Sequence, residues 1–151
     1  MERISHLFEN RALWTSLLAW SIAQIAKVVV VLITEKRFHI RKIMQSGGMP
    51  SSHAAFATAL AMGIGFQEGF GEPVFALACA LALIVMYDAS GVRRQAGKHA
   101  KVINKIITDL ENLIERGEPI KQETLIEWIG HSPVEVLCGA LLGALVAAII
   151  I

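Results

Sequence analysis

Apolar and polar positions along the chain separate into long blocks instead of alternating residue by residue. Four blocks are apolar: Leu13 to Ile33, His53 to Phe66, Val74 to Tyr87 and Val134 to Ile151. The first has about the 20 residues that a helix needs to cross a bilayer. The second and third are shorter and taken alone would also suit core helices of a soluble bundle. Their alanines and glycines fit the close backbone approach of helices packed in a membrane. The blocks predict an all-α fold, an integral membrane helical bundle of about four spans (13–33, 52–69, 73–90 and 134–151) forming one domain over residues 1–151.

Between the third and fourth blocks the pattern changes. From Arg93 to Trp128 charges are frequent, and Val102, Ile103, Ile106, Ile107, Leu110, Leu113 and Ile114 recur at helical spacing. That spacing predicts an amphipathic helix with one apolar stripe, lying on the membrane surface or on a partner. Arg116-Gly117 marks its end and Pro119 blocks continuation. A second short helix is predicted over Gln122 to Ile129, making residues 95–129 a helical insertion.

Composition sharpens this picture. The hydrophobic fraction is 54% and the mean hydropathy +0.54, more apolar than an ordinary soluble domain. A soluble four-helix protein is therefore the least favoured reading. A net charge of +1 gives no bulk electrostatic case for nucleic acid, so the placement of charge matters more than its sum. With four spans, the loop from Lys36 to Gly48 and the segment from Arg93 to Gly130 share one side, which holds nearly all the Lys and Arg; the other side holds Arg3 and Arg11. Positive residues stay cytoplasmic, which puts the long segment there. The first apolar block lacks a small-residue cleavage site and reads as an anchor. Cys79 and Cys138 sit inside apolar blocks with no metal-type spacing and build no disulfide framework.

The chemically capable residues fall where the chain enters or leaves apolar blocks, all on the predicted cytoplasmic side. Gly47-Gly48-Met49-Pro50-Ser51-Ser52-His53 opens the second block, Tyr87-Asp88-Ala89-Ser90-Gly91-Val92-Arg93-Arg94 closes the third, and Gly130-His131-Ser132-Pro133-Val134-Glu135 opens the fourth. A helix N-terminus offers free N–H groups and a favourable dipole to an anion. Ser51 or Ser52 can cap that helix or donate to a phosphate oxygen. A histidine beside such a site can act as acid or base near neutral pH. His131 and Glu135 are four apart, so on one helix they share a face, and the carboxylate can orient the imidazole or form a plain surface pair. Lys27 lies inside the first block, facing a polar interior or snorkelling its ammonium to the interface. Arg93 and Arg94, with Lys36 and Arg37, can add bidentate phosphate contacts or anchor anionic headgroups.

These motifs resemble a known family. Pro50-Ser51-Ser52-His53 looks like the Pro-Ser-Gly-His motif of the type 2 phosphatidic acid phosphatase (PAP2) superfamily, which includes vanadium haloperoxidases. The stretch from His131 to Gly139, with Pro133 and Glu135, looks like its third motif. Together with Tyr87 to Arg94 they are similar to the divergent PAP2 family over nearly the whole chain. The resemblance implies a lipid-phosphate or isoprenyl (pyro)phosphate phosphatase in the bacterial cytoplasmic membrane. It implies His131 as nucleophile, Glu135 as its orienter and His53 as the acid for the leaving oxygen. Lys27, Arg93 or Arg94, and the Ser51-Ser52 backbone would hold the phosphoryl oxygens, with no metal or other cofactor required. The alternative is a non-catalytic relative that binds or moves a phospholipid, or scaffolds a partner through the amphipathic helix. So small a bundle is also compatible with a homodimer.

Overall fold

The computed structural model describes residues 8–35, 47–113, 125–126 and 129–151. Every regular element among them is helical: α1 (Arg11–Glu35), α2 (Ser52–Glu68), α3 (Pro73–Ser90), α4 (Val92–Leu113) and α5 (Pro133–Ile150). Among the described residues three helical stretches are long and apolar enough to cross a membrane: Arg11–Ile33, Pro73–Leu110 (whose apolar part is α3) and Pro133–Ile150. The described chain is thus that of a helical membrane protein.

The 17 residues of α2 fall just short of that length, but α2 is the hub of the bundle, packing on α5, α1 and α3. Its inward positions are almost all small: Ala54, Ala55, Ala57, Ala59, Ala61, Gly63 and Gly65 are buried. Small residues let backbones approach, which substitutes for the hydrophobic drive that lipid removes. Helix α5 runs parallel to α2 at backbone contact. A Cβ built on Gly139 would collide with the Ser51 carbonyl oxygen, and one built on Gly143 with that of Ala55. Helix α1 runs the other way, with Ala19 against Ala59 and Val146, and Ala12 against Gly63. On the remaining side Ala57 and Ala61 meet Ala78 and Ala82 of α3.

Both ends are tied by hydrogen bonds. At one, the Arg11 guanidinium donates to the Ile150 carbonyl at 3.0 Å, and the α2–α3 turn closes with Phe70 edge-on to Phe66 and Phe75. At the other, α2 and α5 start together: the Ser51 N–H donates to the Glu135 carbonyl at 2.9 Å. That end carries all three polar motifs.

Helix α4 covers part of the predicted insertion, and Val102, Ile103, Ile106 and Leu110 stand exposed along it. The predicted short helix over Gln122 to Ile129 falls mostly outside the described residues. Leu125, Ile126 and Ile129, which are described, are not helical. The Asn104 side chain takes both backbone groups of Leu125, donating to its carbonyl at 2.9 Å and accepting from its N–H at 3.0 Å. Those groups are then not available to a helix of their own.

Candidate active site

Each polar motif is held by local backbone chemistry. Ser51 is the N-cap of α2, its hydroxyl accepting from the Ala54 N–H at 3.3 Å. Ser132 caps α5 in a reciprocal box: its hydroxyl accepts from the Glu135 N–H at 3.3 Å, and the Glu135 carboxylate accepts from the Ser132 N–H at 3.1 Å. Pro133 occupies the first turn, where its missing N–H costs nothing. His131 therefore precedes the helix, and its own N–H donates to the Ala89 carbonyl at the end of α3, at 2.9 Å. The preceding Gly130 has φ +95, and a Cβ there would run into the backbone of Arg93 and Arg94. Only glycine fits that approach, which presses the His131 segment onto the first turn of α4.

This bracing brings the two histidines together. The His53 and His131 rings lie edge to face with centroids 6.2 Å apart. Both line a small pocket of about 20 Å³ with Val85, Asp88, Ala89 and Arg93. His131 is 2% exposed, and its Nε2 is buried with no hydrogen-bond partner among the described residues. An orphaned buried nitrogen is costly unless an incoming group satisfies it. His53 is exposed at the pocket rim. The Arg93 guanidinium is gripped by the Asp88 carboxylate, Nε to Oδ2 at 2.5 Å, while its side chain stays 48% exposed.

Lys27 lies 3% exposed on α1. Gly48 (φ +97) covers its alkyl stem, close enough that a Cβ would sit 3.4 Å from Cγ and Cδ. Its charge reaches both imidazoles, and Glu135 is the carboxylate whose charge reaches it in turn. Buried in the span, the ammonium faces the bundle interior instead of snorkelling outward. Ser52 is buried at the start of α2. Arg94 is exposed and does not line the pocket; its backbone serves as the seat for Gly130. Arg37 lies outside the described residues. Among the described residues Glu135 makes no hydrogen bond to either imidazole, its carboxylate being turned to Ser132.

Burial, helped by the charges of Lys27, His53 and Arg93, pushes the His131 imidazole down to about 4 from the ordinary 6.5. The unfolded chain takes up this proton below 6.5 and the folded chain only below about 4, so acidification between those values favours unfolding. We expect the melting temperature in detergent to fall from pH 7 to pH 4.5, and to fall less in His131→Gln. Parallel melting curves for the two proteins would refute this assignment.

The match to known proteins spans most of the chain. The family model of the divergent PAP2 family matches residues 8–146. The chain belongs to the divergent PAP2 family. It is also 38% identical over 151 residues, 95% of this chain and 96% of its relative, to the Bacillus subtilis (strain 168) protein named "Uncharacterized membrane protein YuiD". No solved structure matches the chain. Within this divergent PAP2 frame, Asp88 and the Ala89 carbonyl are site components that the sequence reading quoted without giving them a role. The signal was an acidic residue five before an arginine across a Gly91 helix break.

Proposed function

We propose that this protein is a membrane phosphohydrolase that cleaves lipid phosphates or pyrophosphates through a phosphohistidine on His131. The observation that carries the reading is the meeting of two imidazoles and the Arg93 guanidinium in one pocket. Phosphate binding alone is served by Lys and Arg and needs no buried, neutral nucleophile.

In this mechanism the uncharged His131 Nε2 donates its lone pair to phosphorus as the bond from phosphorus to the ester oxygen breaks. Protonated His53 gives its proton to that oxygen. Water then attacks the phosphohistidine, losing a proton to His53, and phosphate leaves with Nε2 regenerated. Lys27, Arg93 and the N-terminus of α2 at Ser51 and Ser52 offset the charge on the phosphoryl oxygens. A pocket of 20 Å³ holds about one water, so a phosphoryl group enters when the exposed Arg93 side chain swings aside. Glu135 offsets the charge of Lys27 and fixes the first turn of α5. Helix α2 joins the same two ends as α1 and α3, so in this reading it is a fourth span. The positive-inside bias of the sequence supports a site at the cytoplasmic face.

One observation favours the second reading, a non-catalytic lipid-phosphate binder: the Glu135 carboxylate is engaged with Ser132 and not with His131. The two are separated by incubating purified protein in detergent with alkyl, isoprenyl and glycerol-based lipid phosphates. Phosphate release by wild type, with acid-labile label retained on the chain and both absent in His131→Ala, is the expected result. Equal release by wild type and His131→Ala sinks the enzyme.

A further inference from the structure

A second, larger cleft of about 380 Å³ opens between α1, α2 and α3. One wall is a single stripe of α2, His53, Phe56, Ala57 and Leu60, at positions i, i+3, i+4 and i+7. The facing wall is the matching stripe of α3, Ala78, Leu81, Ala82 and Val85, and Leu17 with Trp20 closes the α1 side. The stripe from His53 to Leu60 is about 10 Å long. The cleft adjoins the polar pocket: His53 and Val85 line both.

Among the described residues lining the cleft, the only side chains with a polar atom are His53 at its mouth and Trp20 on the α1 wall. A hydrocarbon bonded directly to the phosphate oxygen meets Phe56, Ala57 and Val85 from its first carbons. A glycerol linkage would put ester oxygens against Phe56, Ala57 and Val85, where they find no donor. We infer that this cleft seats the hydrocarbon chain of a phosphate ester whose oxygen is bonded directly to that chain, an alkyl or isoprenyl phosphate in preference to a glycerol-based one. The inference rests on the pocket being the phosphate site. Lipid tails are as apolar as leucine, so the cleft adds little affinity by itself; it selects by shape and by the absence of polar partners.

The test reads Trp20 fluorescence in the full chain carrying Trp14→Phe and Trp128→Phe, in detergent, with an alkyl phosphate brominated along its chain as quencher. Saturable quenching is expected, displaced by unbrominated alkyl phosphate at concentrations at least about tenfold lower than by lysophosphatidate of equal chain length. Filling the cleft with Leu81→Phe at the open rim, or Ala82→Leu on its floor, should weaken the quenching about tenfold. Quenching that never saturates, that survives both substitutions, or that lysophosphatidate displaces as readily overturns the cleft. Saturable quenching with no phosphate release leaves the cleft standing and removes catalysis. Release without saturable quenching does the reverse.

Discussion

Given nitrophenyl phosphate, His53→Ala is expected to release one equivalent of nitrophenol in a burst and then nearly stop, while His131→Ala releases none. The difference comes from what each imidazole does. Nitrophenolate leaves without a proton, so loss of the acid leaves the first step largely intact. The phosphohistidine then accumulates, because the attacking water has lost its base. On an alkyl phosphate, whose alkoxide cannot leave unprotonated, the same variant should be slower from the first turnover, by about 100- to 10,000-fold. His131→Ala has no atom on which to form the intermediate and should lose on the order of 10,000-fold or more on either substrate. Stopped-flow absorbance measures the burst. A burst from His131→Ala, or none from a His53→Ala protein that still binds phosphate, would reverse or remove the assigned roles.

The second large effect lies in packing. Gly143→Ala adds a single methyl group, yet that group would occupy the space of the Ala55 carbonyl oxygen. Neither backbone can give way cheaply, because α2 is held on its other sides by α1 and α3. Overpacking an ordinary core costs about 1–3 kcal/mol, and collision with backbone belongs at or above the top of that range. Gly139→Ala, aimed at the Ser51 carbonyl, should also tear the caps of α2 and α5 apart and silence the site. Monodisperse yield and melting temperature in detergent measure both. A wild-type melting curve for Gly143→Ala would mean that the two helices do not touch as described.

Much of this was legible because membrane helices announce themselves as blocks, and because polar motifs at block ends collect at one face. The limits were local. The four-residue spacing of His131 and Glu135 suggested one helical face, but Pro133 and the Ser132 cap start α5 after His131, so helical geometry does not relate the pair. Asp88 and Arg93 pair across the Gly91 break, at a spacing no continuous helix would recommend. The four-residue interval between Gly139 and Gly143 was present in the chain, but which helix it touches depends on tertiary register. The choice between Arg93 and Arg94 depended on Gly130, whose closeness to their backbone no sequence spacing reveals.

The clamp at Gly130 also bears on how a substrate would come and go if the proposed activity holds. With the His131 segment bonded to Ala89 and wedged on the start of α4, His131 and Arg93 belong to one braced corner. In the phosphohydrolase reading, admission then depends on the Arg93 guanidinium letting go of the Asp88 carboxylate, a half-exposed ion pair that costs little to break. On that reading so light a door leaves bond breaking, or the departure of phosphate from the cations around it, to govern turnover.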